Sequence, residues 1–207
     1  MAKQPQEPHE TIVLLDAHAI LHRAYHALPD FTAPNGEPTG ALYGMLMMVL
    51  RIITEFKPTY FAACYDLPEA TYRHDAFADY KGTRAKTDDA LIAQINESKN
   101  LLRQFGIPVF EQAGFEADDL LGTIATQLAT PQQQVIIASG DMDTLQCVKD
   151  ESVVVFTLKK GIKDTILYNE QAVLDRFGFP PDFIPDYKGL RGDPSDNIPG
   201  VPGIGEK

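Results

Sequence analysis

The sequence has little of several features that mark specialised protein classes. It contains only two cysteines, Cys64 and Cys147, too few for a disulfide framework or a cysteine metal cluster. No apolar run approaches the roughly 20 residues that cross a bilayer, and residues 1–10 are polar, with no apolar signal core. Repeats and low-complexity segments are also missing from the sequence. We therefore expect a polar tail over residues 1–10, one cytoplasmic globular domain over residues 11–207, and two reduced core thiols.

Basic residues are in deficit, with 18 Lys and Arg against 29 Asp and Glu and a net charge of −11. On charge alone, the chain does not look like an electrostatic binder of nucleic acid, because such proteins need a basic surface. Net charge is only a sum, however. A protein whose acids are concentrated in a metal pocket can carry a basic rim toward its substrate.

Short apolar runs alternate with helical patterns along the chain, which is typical of βαβ units. Strands are predicted at Thr11–Leu15, Thr59–Cys64, Val135–Ser139 and Val153–Phe156, with a weaker one at Ile107–Phe110. Helices are predicted at Gly40–Phe56, Asp88–Phe105 and Glu116–Leu128, and from a cap at Asn169 to Phe177. Ile53 and Phe105 are predicted to lie on the apolar faces of the first two helices. The fold class is thus α/β, with a mainly parallel central sheet and helices on both faces.

Acidic residues follow the predicted strands closely. In an open α/β sheet, ligands bind beyond the carboxyl ends of the strands. The acids expected at this edge are Asp16, Asp66, Glu116, Asp118, Asp119, Asp141, Asp143, Asp193 and Asp196. Taken singly, each has a structural explanation, because Asp and Glu cap helices and Asp forms turns. Together their repulsion would be prohibitive without cations.

Hard divalent cations would relieve this repulsion, so the nine acids predict a site for two Mg²⁺ or Mn²⁺ ions. No His or Cys occupies these positions, which argues against zinc. Two carboxylate-bound cations about 4 Å apart form a clamp for in-line displacement at phosphorus. The pattern therefore predicts phosphoester hydrolysis, with Asp141 as a catalytic metal ligand.

A basic and aromatic stretch lies between the second strand and the second helix. It runs from Tyr72 to Lys86 and includes Arg73, Tyr80, Lys81 and Arg84. Basic side chains can contact phosphates while aromatic rings stack on unpaired bases, which predicts a single-strand channel. The alternative is a solvated helix whose aromatic residues pack inward.

The segment after Asp16 offers one more phosphate contact, Arg23. We interpret His18, His22 and His26 in the same segment as packing or surface residues rather than metal ligands.

Several motifs occur in order along the chain. They are Leu14-Leu-Asp16, Arg23-Ala-Tyr-His-Ala27, Gly36-Glu-Pro-Thr-Gly-Ala-Leu-Tyr-Gly44, Tyr72-Arg73 with Tyr80-Lys81 and Arg84, Glu116-Ala-Asp-Asp119, Gly140-Asp-Met-Asp143, and Gly192-Asp-Pro-Ser-Asp-Asn-Ile-Pro-Gly200 with its continuation to Lys207. Together these motifs resemble the 5′→3′ exonuclease domain of bacterial DNA polymerase I, in the flap-endonuclease superfamily. The resemblance covers the chain from about Thr11 to its end.

The resemblance implies a PIN-like nuclease that removes 5′ flaps and RNA primers, with two divalent metals held by the nine acids. Its expected partners are DNA with a 5′ flap or 5′ end, RNA primer–DNA hybrids, and a polymerase domain in the same or another chain. It places Tyr80, Lys81 and Arg84 in a helical arch over the active site, where Lys81 and Arg84 would have catalytic roles by steering the scissile phosphate.

The resemblance also implies that Gly203 and Gly205 belong to the hairpin of a helix-hairpin-helix element, which binds duplex DNA with a monovalent cation such as K⁺. The domain is expected to be truncated within this element. Many relatives carry Lys where this chain has Met142, so one positive charge near the metals is missing.

Two other functions remain open from the residues alone. A haloacid-dehalogenase-type phosphatase would use Asp141 as nucleophile, Asp143 as acid/base and Lys188 as charge partner. That mechanism leaves Asp16, Asp66 and the acids at 116–119 without roles. The third possibility is an inactive, truncated DNA-binding module, which the acidic composition disfavours.

Overall fold

The computed structural model describes residues 10–160 and 164–205, so the predicted tail before Glu10, as well as Glu206 and Lys207, lie outside the described residues. The strands are β1 (Glu10–Asp16), β2 (Tyr60–Cys64), β3 (Val109–Phe110), β4 (Gln133–Ser139), β5 (Val153–Lys160) and β6 (Asp164–Tyr168). The α-helices are α1 (Ala17–Ala27), α2 (Gly40–Phe56), α3 (Tyr72–Ala76), α4 (Asp89–Gln104), α5 (Ala117–Leu128), α6 (Glu170–Phe177) and α7 (Ile184–Arg191). Two 3₁₀ helices cover Met142–Cys147 and Pro181–Phe183.

The six strands form one sheet in the order β3-β2-β1-β4-β5-β6. Neighbouring strands are parallel from β3 through β5, and only β6 runs antiparallel to its neighbour. The mainly parallel α/β sheet predicted from the sequence is confirmed. Because β1, β2 and β4 are parallel neighbours, their carboxyl ends meet at one edge, where Asp16 pairs in register with Cys64 and Leu15 with Ala138.

Apolar cores cover both faces of the sheet. One core packs α1, α2 and α4 against the strands, and the other packs α5, α6 and the 3₁₀ helix at 142–147. In α2 the buried positions include Met45 and Ile52, whereas Ile53 is 43% exposed. Phe105, just beyond α4, is 61% exposed. The predicted burial of Ile53 and Phe105 is therefore wrong, because the inward face of each helix is narrower than its run of apolar residues.

The structure adds elements that the sequence analysis did not predict. Helix α1 was not recognised, because its few buried apolar residues, Ile20, Leu21 and Ala24, are flanked and interrupted by histidines. Between β2 and α4, where the sequence predicted a helical arch, α3 is α-helical and residues 78–83 form turns. Neither cysteine is in a disulfide; Cys64 is buried and Cys147 partly buried. In the described ranges, no helix is both long and apolar enough to span a membrane.

The described C-terminal residues 192–205 form turns and one isolated bridge between Asp193 and Ile198. Gly192 and Gly200 approach each other closely: a Cβ at Gly192 would lie 2.7 Å from the Ile198 carbonyl oxygen, and one at Gly200 would overlap the Gly192 nitrogen. Both glycines also have positive φ angles, 86° and 66°. Glycine is therefore required at both ends of this loop, which carries Asp193 and Asp196.

Candidate metal centre

A cavity of about 920 Å³ opens at the carboxyl ends of β1, β2 and β4. It collects side chains that are up to 172 residues apart in the sequence, from Asp16 to Lys188. Six of the nine acids predicted for a metal site line it: Asp16, Asp66, Glu116, Asp118, Asp141 and Asp143. The other three, Asp119, Asp193 and Asp196, are not among its lining residues.

Asp16 is held in place from two directions. It caps α1 by accepting a hydrogen bond from the Ala19 amide at 3.0 Å, and its other carboxylate oxygen lies 2.5 Å from the Ser139 hydroxyl. The Ser139 hydroxyl also accepts a 2.9 Å hydrogen bond from the Asp141 amide. Ser139 therefore connects the ends of β1 and β4. The sequence analysis missed it because that analysis began one residue later, beyond the end of the strand.

Asp66 and Asp118 meet at the start of α5. The Ala117 amide donates a 2.8 Å hydrogen bond to one oxygen of Asp66. Asp118 follows directly in the first turn of α5 and lines the cavity. Across the described parts of the chain, its carboxylate has no hydrogen bond to another side chain or to the backbone, and no ion pair.

The innermost carboxylates carry negative charge that the protein does not neutralise. Burial, with repulsion from Asp66 and Asp141, raises the pKa of Asp16 from 3.8 to about 7. Burial and the neighbouring acids, Asp16 first among them, raise the pKa of Asp118 well above its usual value. Within residues 10–160 and 164–205, no Lys or Arg forms an ion pair with Asp16, Asp66, Asp118 or Asp141. An all-oxygen donor set with unbalanced charge fits hard divalent cations.

A second acidic group lies beside this centre. Asp143, Asp193 and Asp196 place carboxylate oxygens within 4.8 Å of one another. Here most of the charge is offset, because Lys188 on α7 pairs with both Asp143 and Asp193, the latter at 2.5 Å, and Arg84 pairs with Asp196 at 2.5 Å, so that two cations face three acids. Burial raises the pKa of Asp193, but the hydrogen bonds from Lys188 and Ser195 outweigh burial and lower that pKa to about 2. The pKa of Asp143 is raised, because burial and repulsion from Asp141 outweigh the hydrogen bond and the positive charge of Lys188.

Asp119 has a different environment from Asp118. Arg73 binds it through both guanidinium nitrogens, at 2.7 and 2.8 Å, and the Glu116 amide donates to it at 2.9 Å. These hydrogen bonds outweigh burial and lower the pKa of Asp119. The sequence analysis assigned Asp119 to the metals and Arg73 to DNA. The structure instead places them in one ion pair that holds α3 against the start of α5.

Tyr80 lies in the interior of the basic and aromatic stretch and is only 6% exposed. Its hydroxyl lies 3.0 Å from a Glu116 oxygen and 3.0 Å from an Asp196 oxygen, so it bridges the two acids. The ring is not available for base stacking, contrary to the sequence expectation. Lys81 pairs with Glu116 at 2.7 Å, and both Lys81 and Arg84 line the cavity, where the sequence predicted phosphate contacts.

Helix α1 forms another wall of the cavity. Arg23 lines it and donates a 3.3 Å hydrogen bond to the Gly140 carbonyl. His18, His22 and His26 also line it, and their interpretation as packing or surface residues rather than metal ligands stays a prediction. Gly203 and Gly205 belong to the C-terminal turns and are not among the residues that line the cavity.

Comparison with known proteins identifies the family to which this chain is similar. Residues 11–178 match the family described as "5′-3′ exonuclease, N-terminal resolvase-like domain". DNA polymerase I of Bacillus caldotenax is 42% identical over 196 residues, and that of Mycobacterium tuberculosis strain H37Rv is 39% identical over 199 residues. Each alignment covers 95% of this chain and 22% of the relative, so the chain spans about a fifth of these polymerases.

Solved structures share the fold. The bacteriophage T5 D15 protein, co-crystallised with metal ions, superposes with a TM-score of 0.75 at 18% identity, over 94% of this chain and 71% of that one. Human GEN1, in complex with Holliday junction DNA, gives a TM-score of 0.58 at 14% identity, over 95% of this chain and 47% of that one.

Proposed function

Because this chain belongs to the family of 5′-3′ exonuclease N-terminal, resolvase-like domains, we propose that it hydrolyses phosphodiester bonds of DNA at 5′ ends and 5′ flaps. The proposal includes RNA primer–DNA hybrids as substrates, a role in replication and repair, and a polymerase domain as partner, as in its polymerase I relatives. The observation that carries it is the unbalanced cluster of Asp16, Asp66, Asp118 and Asp141 at the sheet edge.

These four acids, with Asp143, would hold two divalent cations, and their all-oxygen chemistry favours Mg²⁺, with Mn²⁺ as a substitute. Cations bound there would supply a water nucleophile at neutral pH and stabilise charge on the attacking and leaving oxygens. Of the nine acids predicted from the sequence, Glu116, Asp119 and Asp196 already bind Tyr, Lys or Arg side chains. We propose that these three position the basic stretch. K⁺ at Gly203 and Gly205 rests on the family resemblance alone.

The chain's own residues prepare the cavity for a phosphate group. Ser139 holds Asp16 and the Asp141 backbone in a fixed relation across two strands. Lys81 and Arg84 stand at the cavity wall, and each is bound to one acid. A phosphate oxygen can replace a carboxylate oxygen as their acceptor, because both are anionic acceptors of charge-assisted hydrogen bonds. Lys81 and Arg84 would thereby orient the scissile phosphate toward the acids.

The phosphatase alternative leaves most of the cavity without a role. Lys188 does pair with Asp143, as that mechanism would require, but the same lysine is also paired with Asp193. Asp16, Asp66 and Asp118 share the cavity with Asp141 and would have no function in it. The family match supports the nuclease instead.

The test is cleavage of a 5′-labelled flap DNA by the chain, with Mg²⁺, with Mn²⁺ and with a chelator. We expect metal-dependent cutting near the flap junction, lost by about 100-fold or more in Asp141→Asn and retained in the control Asp175→Asn, which changes an exposed acid on α6. Cutting by Asp141→Asn at the wild-type rate would contradict the metal centre. DNA and metal binding without any cutting would identify an inactive binding module.

A second comparison tests the basic residues. We expect Lys81→Ala to weaken cleavage while leaving Mg²⁺ binding by calorimetry unchanged, and Lys149→Ala, at an exposed position, to leave both unchanged. Loss of Mg²⁺ binding in Lys81→Ala would contradict a role in phosphate positioning.

A further inference from the structure

Three histidines form a stripe along one face of α1, on the wall of the cavity. His18, His22 and His26 are spaced four residues apart, which places them on the same side of the helix. The rings of His18 and His22 are nearly parallel, with an interplanar angle of 25° and centroids 5.1 Å apart. The buried residues of α1 include Ile20 and Leu21 rather than these histidines, so packing against the sheet does not require imidazoles here.

His18 carries an unused polar atom. Its Nδ1 is buried and has no hydrogen-bond partner among the described residues. The nearest acid is Asp66, with a carboxylate oxygen 3.8 Å from that nitrogen. Two ligand atoms on one tetrahedral ion, each about 2.0 to 2.1 Å from it, lie about 3.3 Å apart. A small rotation of either side chain would bring these two atoms to that separation.

We propose that His18, His22 and Asp66 form a binding site for a borderline transition-metal ion of the Zn²⁺, Co²⁺ or Ni²⁺ class. Two histidines at i and i+4 on a helix present imidazole nitrogens to a single ion, and a carboxylate completes a three-residue donor set. Imidazole favours these ions, whereas Mg²⁺ takes oxygen ligands, so the site differs in selectivity from the all-oxygen centre.

The site shares Asp66 with the proposed catalytic centre. A transition-metal ion bound to Asp66 withdraws one carboxylate from that centre and lies in the cavity that the substrate must enter. Resting on the proposed nuclease function, the site therefore makes Zn²⁺ an inhibitor of Mg²⁺-dependent cleavage.

The deciding experiment is calorimetric titration of the whole chain with ZnCl₂, and separately with CoCl₂, at pH 7.5. We expect His18→Ala and His22→Ala each to weaken one binding event by at least the roughly 10-fold that metal-site substitutions cost. The matched control is His26→Ala, one turn further along the same face and exposed, which should change the affinity less than threefold. Visible absorption of bound Co²⁺ should show the same ranking.

Two further variants separate this site from the catalytic one. His22→Gln keeps a polar side chain and should behave as His22→Ala, with Mg²⁺ binding unchanged. Asp141→Asn should lose Mg²⁺ binding and keep the histidine-dependent Zn²⁺ binding. Wild-type Zn²⁺ affinity in His18→Ala and His22→Ala, or an equal loss in His26→Ala, would overturn the proposal whatever the outcome for Mg²⁺.

Discussion

Replacing Asp16 by Asn should change how the stability of the protein depends on pH. Asp16 is 3% exposed, and its pKa is about 7 in the folded chain against 3.8 for an ordinary Asp. The folded state therefore binds a proton more tightly than the unfolded state, so metal-free stability falls as pH rises from about 4 to 7. The pKa in the folded chain lies about two units above pH 5. Raising the pH from 5 to 8 should therefore lower the free energy of unfolding by about 3 kcal/mol. Asn does not ionise, so the Asp16→Asn variant should not lose this stability as the pH rises.

Burial gives His22 the opposite pH dependence, because its pKa falls to about 4 and its contribution to stability grows with pH over the same range. Both proteins retain His22, so its contribution cancels in the difference between them, which reports the titration of Asp16 together with the repulsion that Asp16 exerts on Asp118. We measure the free energy of unfolding in urea with a chelator present. The value for Asp16→Asn minus that for the wild type should increase by about 3 kcal/mol from pH 5 to pH 8. Added Mg²⁺ at pH 8 should stabilise the wild type and remove most of that gain. Parallel pH profiles of the two proteins without metal would show that the pKa of Asp16 is not raised by folding.

Three other substitutions test particular contacts. Tyr80→Phe keeps the buried ring but loses both hydroxyl hydrogen bonds, so urea unfolding should show a loss of about 1–3 kcal/mol. Asp118→Asn should weaken Mg²⁺ binding in calorimetry. Asp119→Asn should leave Mg²⁺ binding unchanged and lower stability, because it loses the ion pair with Arg73. Weaker Mg²⁺ binding in Asp119→Asn would support its assignment as a metal ligand from the sequence. Gly192→Ala should lower the melting temperature more than Gly203→Ala, because only the former places a Cβ against backbone, at 2.7 Å; equal effects would contradict the close approach.

Several features of the fold were predictable because they depend on local sequence. The apolar runs of β1 and β4 are long and buried, and α2 begins and ends where its apolar pattern does. By contrast, β6 and α7 are short and mostly outside the core, so hydrophobic periodicity gave no signal for them. Where the sequence predicted a helical arch, residues 78–83 form turns, and Lys81 adopts a positive φ of 55°.

The candidate site shows the same division. Acids that follow parallel strands or open a helix beside them could be assigned to one edge by topology alone, as for Asp16 and Asp141. The position of Lys188 could not be assigned in this way, because it follows Asp143 by 45 residues and reaches it only through the packing of α7. Likewise, adjacent residues of one helix turn, Asp118 and Asp119, are equivalent in the sequence but face different partners.

The fold class, the sheet edge at which most of the acids gather and the family resemblance could all be inferred from the residues alone. These follow from the order of buried strands and from motif spacing, which are local properties of the chain. The folded chain was needed to show which acids have no cationic partner, which acids pair with Arg73, Lys81, Arg84 and Lys188, and that the α1 histidines line the same cavity. These properties depend on distances between residues far apart in the chain, and the strength of an electrostatic interaction is set by distance and burial rather than by sequence position.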